Sequence, residues 1–442
     1  MSRKTFYGGV HPPGNKHRTS SVPIRKAALP KKVVIPLAQH TGSPCEAAVA
    51  VNDEVKTGSV LGKASGFISS PVHASISGKV KKITHMPHPV FSRALAVVIE
   101  NDGVREEEVF IPRRNDEIES LSKEALLEIV KNSGIVGLGG AAFPTHVKLS
   151  PPESKPVDTF LLNGAECEPY LTCDERLMIE RADDILKGLA IICKILGVND
   201  ACIAIENNKP LAIEAIRKAL LSTKYEILSA KLVVLPTKYP QGAEKQLIRS
   251  VLNRVVPEGG LPMDVGCVVN NVGTALAVYE AVYKGKALIE RCVTVSGGCV
   301  KEPANLQVRI GTLVSSLIEE LGGLNEPPAK VIFGGPMMGI AQYTMDVPVV
   351  KGTSGILFLS KAEAADAAES VCIRCSRCVQ VCPAGIMPTT IANLVKRTRF
   401  TEAKEFGITQ CIECGACVYE CPAKIPLLDY IKFGKSKLIV KK

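Results

Sequence analysis

The 442-residue chain has no tryptophan, and its aromatic residues amount to only 5%. That leaves little material for a base-stacking nucleic-acid surface, and no nucleic-acid partner is expected. No run approaches the ~18 consecutive apolar residues of a membrane-spanning helix, so none is predicted. The opening MSRKTFYGGVHPPGNKHRTS is charged and rich in Gly and Pro, without the apolar core of a secretory leader. The cytosol is therefore the expected compartment. Charge of one sign does not dominate either. Lys and Arg number 54 against 44 Asp and Glu, a net +10 that favours an anionic partner without identifying one. What is abundant is ordinary globular material, 46% hydrophobic and 22% charged. The length is near three times the ~150 residues of one domain, so a multidomain α/β chain is predicted.

Residues 1–112 read as β-rich. Val49–Gly62 and Ser70–Val80 are short alternating segments broken by Gly and Asn-Asp turns. They resemble the sandwich-hybrid fold of lipoyl and biotinyl carrier domains. A carrier needs a modifiable Lys at an exposed tip, and Gly66-Phe-Ile-Ser-Ser70 has none there, so a structural docking module is expected. Residues 113–287 alternate helices with buried strands. Leu121–Val130, Arg181–Leu196 and Pro210–Leu221 have helical character, and Thr159–Leu162, Ala201–Ile205 and Lys231–Leu235 are strand-like. This order predicts a Rossmann-like parallel sheet. Residues 288–350 fit a β-grasp module, with strands at Arg291–Gly298, Leu306–Ile310 and Val331–Gly335 and a helix over 311–321. The remainder, 351–442, is assigned to a helical ferredoxin-like domain. A connecting helix is expected over 363–369, and the basic tail KFGKSKLIVKK is expected to fray.

Sixteen cysteines in a chain of this kind suggest metal ligands or free thiols rather than disulfides. Eight of them form a repeat. Cys372, Cys375, Cys378 and Cys382-Pro383 have the same C-x2-C-x2-C-x3-C-P spacing as Cys411, Cys414, Cys417 and Cys421-Pro422. Three thiolates on one tight loop can reach three corners of a cubane, whereas the fourth points elsewhere, so the repeats exchange fourth ligands. One [4Fe-4S] cluster is assigned to Cys372, Cys375, Cys378 and Cys421, and the other to Cys411, Cys414, Cys417 and Cys382. Zinc also accepts four thiolates, but its modules usually separate two C-x2-C pairs, and the Cys-Pro would go unexplained. Two such clusters imply one-electron transfer. Among the others, Cys193, Cys202 and Cys292 read as buried apolar residues. Cys167 and Cys173 lie in a polar segment where a redox role stays open.

A second constellation starts at Gly137-Leu-Gly139-Gly140 and reaches Lys148. Consecutive glycines let backbone N–H groups converge on a phosphate, and a Lys adds counter-charge. Asn163-Gly-Ala-Glu166-Cys-Glu168-Pro169, Tyr239-Pro-Gln-Gly242-Ala-Glu244 and Asn270-Asn271-Val-Gly-Thr274 each follow a predicted strand or apolar run. Loops at the carboxyl ends of a parallel sheet gather ligands. The set suits a phosphorylated heterocycle, and capping and turn residues are the alternative reading.

In this order along the chain, the four segments resemble the flavin mononucleotide site of the flavoprotein subunit of respiratory complex I. The whole chain, including the GGVHPP start and the paired clusters, resembles the RnfC family of the Rnf electron-transport complex. The resemblance implies FMN, two [4Fe-4S] clusters and NAD(H) as substrate. By motif, Gly137, Gly139, Gly140 and Lys148 would hold the flavin phosphate and nearby groups. Asn163, Tyr239, Gly242, Asn270, Asn271 and Thr274 would line the flavin, and Glu166, Glu168 and Glu244 would face flavin or nicotinamide. Relative to complex I, Leu138 replaces an Arg, Ala165 an Asp, Tyr170 a Gly and Ala243 a Glu. The implied activity is that of a ferredoxin:NAD oxidoreductase component, peripheral on the cytoplasmic face of the membrane and partnered by the membrane and ferredoxin-like subunits of an Rnf complex. A cobalamin or amino-acid reductase relative, or a non-catalytic electron-transfer scaffold, are the competing readings.

Overall fold

The structure is a computed structural model and describes residues 4–101, 103, 109–222, 229–364 and 368–439. The N-terminal module is two small sheets. Lys32–Pro36, Ser92–Glu100, Gly78–His88 and Glu54–Val55 form an antiparallel four-stranded sheet, and Glu46–Ala47, Val60–Lys63 and Val72–His73 a three-stranded one. Both contribute to one core containing Ile35, Leu61, Val72, Ile76 and Ile99. Its edge holds the glycine loop that follows, with Thr41 Oγ1 donating to Ala141 O at 2.6 Å.

The central domain is a parallel sheet in which the strands in chain order, Thr159–Gly164, Asp200–Glu206, Ser229–Leu235 and Cys267–Asn271, lie in the spatial order third, second, first, fourth. Their near-continuous apolar runs suit burial on both faces. Helices Ala182–Leu196 and Val272–Lys284 cover one face, so tightly that a Cβ on Gly188 would fall 1.8 Å from Ala275 O. Leu247 and Ile248 of Glu244–Leu252 pack against the other face.

A six-stranded mixed sheet follows, ordered Arg25–Lys26, Ala304–Arg309, Glu290–Ser296, Gly355–Leu359, Lys330–Phe333, Ile340–Gln342. Helix Val314–Glu320 packs on it through Val314, Leu317 and Ile318. Two sequence boundaries need correction. Gly355–Leu359, placed by sequence in the cluster domain, is a fully buried inner strand of this sheet, parallel to Glu290–Ser296 and antiparallel to Lys330–Phe333. Arg25–Lys26, from the N-terminal region, adds the opposite edge.

The C-terminal domain repeats a short helix after each ligand loop, Arg377–Gln380 and Ala416–Tyr419, and a longer one, Pro388–Lys396 and Leu427–Ile439. The tail does not fray where it is described. It is helical to Ile439, with Ile431 buried and Lys435 Nζ donating to Cys411 O at 2.5 Å and to Glu413 Oε1 at 2.8 Å. A basic residue that binds a ligand-loop carbonyl has reason to stay ordered. The helix expected over 363–369 is not seen at Glu363 and Ala364, which lie in a turn, and residues 365–367 fall outside the described residues.

Candidate flavin and iron-sulfur site

Strand order in the central sheet reverses between Thr159–Gly164 and Cys267–Asn271, the position where open α/β sheets receive ligands. Asn163 and Asn271 are register partners there. Asn163 Nδ2 donates to Gly242 O (2.9 Å) and its Oδ1 accepts from Ala165 N (3.1 Å), so it ties two of the expected segments together. Asn271 is the N-cap of helix Val272–Lys284, its Oδ1 accepting from Gly273 N (2.8 Å) and its Nδ2 donating to Asp174 Oδ2 (2.6 Å). Thr274 Oγ1 accepts from Leu138 N (2.9 Å), which fixes the glycine loop on the same helix start. A Cβ on Gly139 would lie 3.1 Å from Asn271 Cβ, and Gly140, at φ +145°, opens onto free space. Asn270 is 4% exposed and its Nδ2 has no partner. An orphaned donor beside an open glycine cradle fits a ligand that carries both acceptors and phosphate.

The acidic residues are placed differently from the expectation. Glu166, at φ +44°, accepts from the amides of Asp174 (2.7 Å) and Glu175 (3.1 Å) and so caps helix Cys173–Glu180. Glu168 accepts from Met337 N (3.1 Å) and Met338 N (3.0 Å), a clasp onto the β-grasp module, and Tyr239 Oη stands 3.3 Å from its Oε1. Burial pushes the Glu168 carboxyl up to about 7, and those donors only partly offset it. Glu244 and Lys148 meet each other at 2.5 Å, and Lys148 Nζ also donates to Val269 O (2.6 Å). Tyr239 is buried, and its hydroxyl donates to Cys414 O at 2.7 Å, so it faces an iron-sulfur ligand loop instead of a flavin pocket. Both open cysteines are packing thiols. Cys167 accepts from Gly242 N and Cys173 donates to Ser354 O, and burial raises the first to about 12 and the second well above its ordinary value.

The raised Glu168 pKa sets a pH dependence. Its neutral form is favoured on folding, so its contribution is complete below about pH 4.5 and is lost as pH rises through about 7. Thermal melts across that window should show stability falling, and Glu168→Gln should fall less steeply than the parent.

Sequence reasoning missed several residues. Asp174 touches Asn271 and is raised to about 7 by burial and the neighbouring Glu166. Its place in the first turn after the Asn163–Pro169 segment was the available signal. Arg291, from a β-grasp strand, donates to Leu138 O (3.4 Å) and Lys351 O (2.5 Å), which puts a buried cation behind the loop where Leu138 replaces the complex I arginine. Lys209 and Glu206 form an ion pair at 3.3 Å with side chains 0% and 1% exposed. Removing one partner strands a buried charge, so Lys209→Met should cost about 3–5 kcal/mol and lower the melting temperature by roughly 6–20 °C. The double variant with Glu206→Gln should recover much of that loss in calorimetry.

The cysteine repeat is also a backbone repeat. Arg374 and Ser376 have φ +56° and +60°, and Glu413 and Gly415 have +59° and +75°. Each pair turns the chain sharply between the first and third cysteines of its repeat. Cys382, Cys411, Cys414 and Cys417 line a single apolar cavity with Ile386, Ile412 and Leu428. Burial raises Cys411, Cys414 and Cys417, and their mutual proximity adds to it. What sets them apart from the other buried thiols is that four converge on one cavity, where a positive centre would hold them as thiolates. Cys382 comes from the first repeat, as the exchange of fourth ligands requires. In the other set Cys378 and Cys421 share a small core that Cys417 also enters, and Cys372 and Cys375 are exposed.

Comparison with known proteins agrees with this geometry. The chain is 50% identical over 98% of its length, and over 94% of the relative's, to the RnfC-type component of the proton-translocating ferredoxin:NAD(+) oxidoreductase complex of Clostridium ljungdahlii. It belongs to the RnfC family. A second member, the corresponding component of the Na(+)-translocating complex of Acetobacterium woodii, is 45% identical over 99% of this chain and 98% of its own. The RnfC architecture is met in order by an RnfC barrel sandwich hybrid domain at 4–104, a Nuo51 FMN-binding domain at 130–280, an SLBB domain at 292–341 and a 4Fe-4S dicluster domain at 371–425. The expected fold class, FMN and [4Fe-4S] cofactors are thus borne out. Among solved structures, an NAD+-reducing [NiFe]-hydrogenase in its H2-reduced state shares the fold at 16% identity and TM-score 0.51, over 74% of this chain and 68% of the other.

Proposed function

We propose that this chain is the NAD(H)-reacting electron-transfer subunit of an ion-translocating ferredoxin:NAD oxidoreductase complex. Cys382, Cys411, Cys414 and Cys417 would hold one cluster and Cys372, Cys375, Cys378 and Cys421 the other, and the pair would supply one-electron transfer to and from the site at the strand switch. Bound FMN supplies the exchange between a two-electron hydride and single electrons. Each NADH oxidised delivers two electrons, one at a time, and releases one proton. Gly139, Gly140 and the start of helix Val272–Lys284 would receive the flavin phosphate, with Asn163, Gly242, Asn270 and Asn271 along the ring system. Lys148 and Glu244 hold each other at the rim, where either could turn to a nucleotide.

The observation that carries the order of the two clusters is the Tyr239 hydroxyl on Cys414 O at 2.7 Å. Gln246 Nε2 adds a bond to Pro383 O at 3.2 Å. These contacts support the reading in which the Cys382 cluster is the inner one. Exposure of Cys372 and Cys375, flanked by Val371 at 87% and Ile373 at 69%, supports the other as the exit toward a partner. No described helix is long and apolar enough to cross a membrane. As a component of such a complex, the chain would sit peripherally on the cytoplasmic face, against membrane and ferredoxin-like subunits.

The test is anaerobic. The chain is loaded with FMN, iron and sulfide and titrated with NADH while flavin absorbance and cluster EPR are followed. Flavin bleaching followed by cluster signals is expected. If dithionite reduces flavin and intact clusters and NADH reduces neither, the reading gives way to a scaffold.

A further inference from the structure

The GGVHPP segment is distant in sequence from every cofactor residue, yet it runs between the flavin site and the inner cluster. At one end Gly9 N donates to Val381 O at 2.8 Å, the residue before the ligand Cys382. Gly8 has φ +72°, and a Cβ there would stand 2.8 Å from the carbonyl oxygens of both Val381 and Cys382. Gly9, at φ +84°, would place its Cβ 2.7 Å from Tyr239 O. Val10 and Tyr239 then exchange both backbone hydrogen bonds, at 2.8 and 2.9 Å. Farther along, Gly14 O accepts from Tyr170 N at 2.7 Å. Lys16 Nζ donates to the carbonyls of Glu166 and Glu168, each at 3.0 Å, and of Leu171.

These contacts share a geometry. The arm touches the flavin domain at the Tyr239 loop and the 166–171 loop, and the cluster domain at its exchanged ligand. The bonds of Gly9, Val10 and Gly14 are backbone to backbone, so no rotamer change can adjust them. The two glycines allow an approach that any side chain would block. Lys16 uses an ammonium's three donors on three carbonyls of one loop. Val10 packs in a small cluster with Tyr239, Cys414 and Ala416, separate from the cores of the central sheet. The arm's apolar contact thus lies at the junction of the two sites rather than inside either domain.

We propose that residues 6–19 are a positioning strap that sets the separation between the flavin site and the inner cluster. Gly8, Gly9 and Lys16 act on the electron step and not on cofactor binding. The proposal rests on the electron path given above. Each transfer across the junction moves one electron, lost by reduced flavin and gained by the oxidised cluster.

Gly8→Ala and Gly9→Ala are made in the full-length, FMN- and cluster-loaded chain, with Gly14→Ala as control because its Cβ would meet nothing within 4 Å. After rapid mixing with NADH, flavin bleaching should keep the parent rate while inner-cluster reduction slows, the loss being read as the ratio of the two phase rates against the parent's. Gly14→Ala should match the parent in both phases. Hydrogen exchange at the Val10 and Tyr239 amides, read without any turnover, should rise in the two variants only. Unchanged cluster reduction in both variants overturns the proposal. Loss of FMN or iron also overturns it, since the arm would then hold the sites together rather than space them. Failure of NADH to reduce the parent's clusters counts instead against the electron path, and the strap is then judged by the exchange measurement alone.

Discussion

Cys382→Ala is expected to abolish the cluster otherwise held by the second cysteine repeat, leaving the first repeat's cluster in place. Iron should fall from about eight to about four atoms per chain. The remaining EPR signal should be that of the exposed cluster, and NADH should no longer reduce it, because the inner relay is gone. The reason is geometric. Cys382 shares its cavity with Cys411, Cys414 and Cys417 and not with the three ligands that precede it in sequence. Cys421→Ala should give the mirror result. Iron again halves, but the inner cluster survives and still accepts electrons from NADH. If each substitution instead removes the cluster of its own repeat, the exchange of ligands is wrong, and with it the assignment of inner and outer positions. FMN content should stay at the parent level in both variants, because no flavin-site segment contributes a cluster ligand.

That Cys382 would join Cys411, Cys414 and Cys417 in one cavity was legible because the information is local. Spacing within each twelve-residue repeat dictates which thiols can share a centre, and even the positive φ values recur at matching positions. The parallel sheet was legible for a similar reason, since buried strands and amphipathic helices each write their own period. What could not be read was tertiary. Lys16 reaches carbonyls about 150 positions away, and nothing around it in sequence distinguishes it from a solvated lysine. Gly355–Leu359 is an ordinary apolar run whose inner position depends on two partners distant in sequence. Glu166 and Glu168 show how a motif can name the right segment and leave the direction of its side chains undetermined. Both carboxylates are held by backbone amides that only the folded chain brings near.

Gly140→Val should be the most damaging single change at the flavin site. At φ +145° the residue occupies a region open essentially to glycine, and a side chain there costs about 1–3 kcal/mol of strain. The alternative to that strain is for the loop to move, and the loop cannot move alone. Leu138 N is tied to Thr274 Oγ1, Ala141 O to Thr41, and Gly139 lies against Asn271. Relaxation at position 140 would therefore pull the glycine cradle off the helix start that gives it its favourable dipole for phosphate. At 1.4 kcal/mol per decade, FMN affinity should fall roughly 10–100-fold from the strain alone. Purified protein should accordingly carry little flavin and show no NADH-dependent bleaching, with its iron content intact. Gly137→Ala is the discriminating control. Its Cβ would meet Phe143 O at 3.6 Å, an ordinary contact, with no left-handed backbone to strain, so its FMN affinity should change by less than about threefold. Equal loss in both variants would mean that the cradle is disturbed by any added carbon, and that the conformation of Gly140 is not what holds the phosphate.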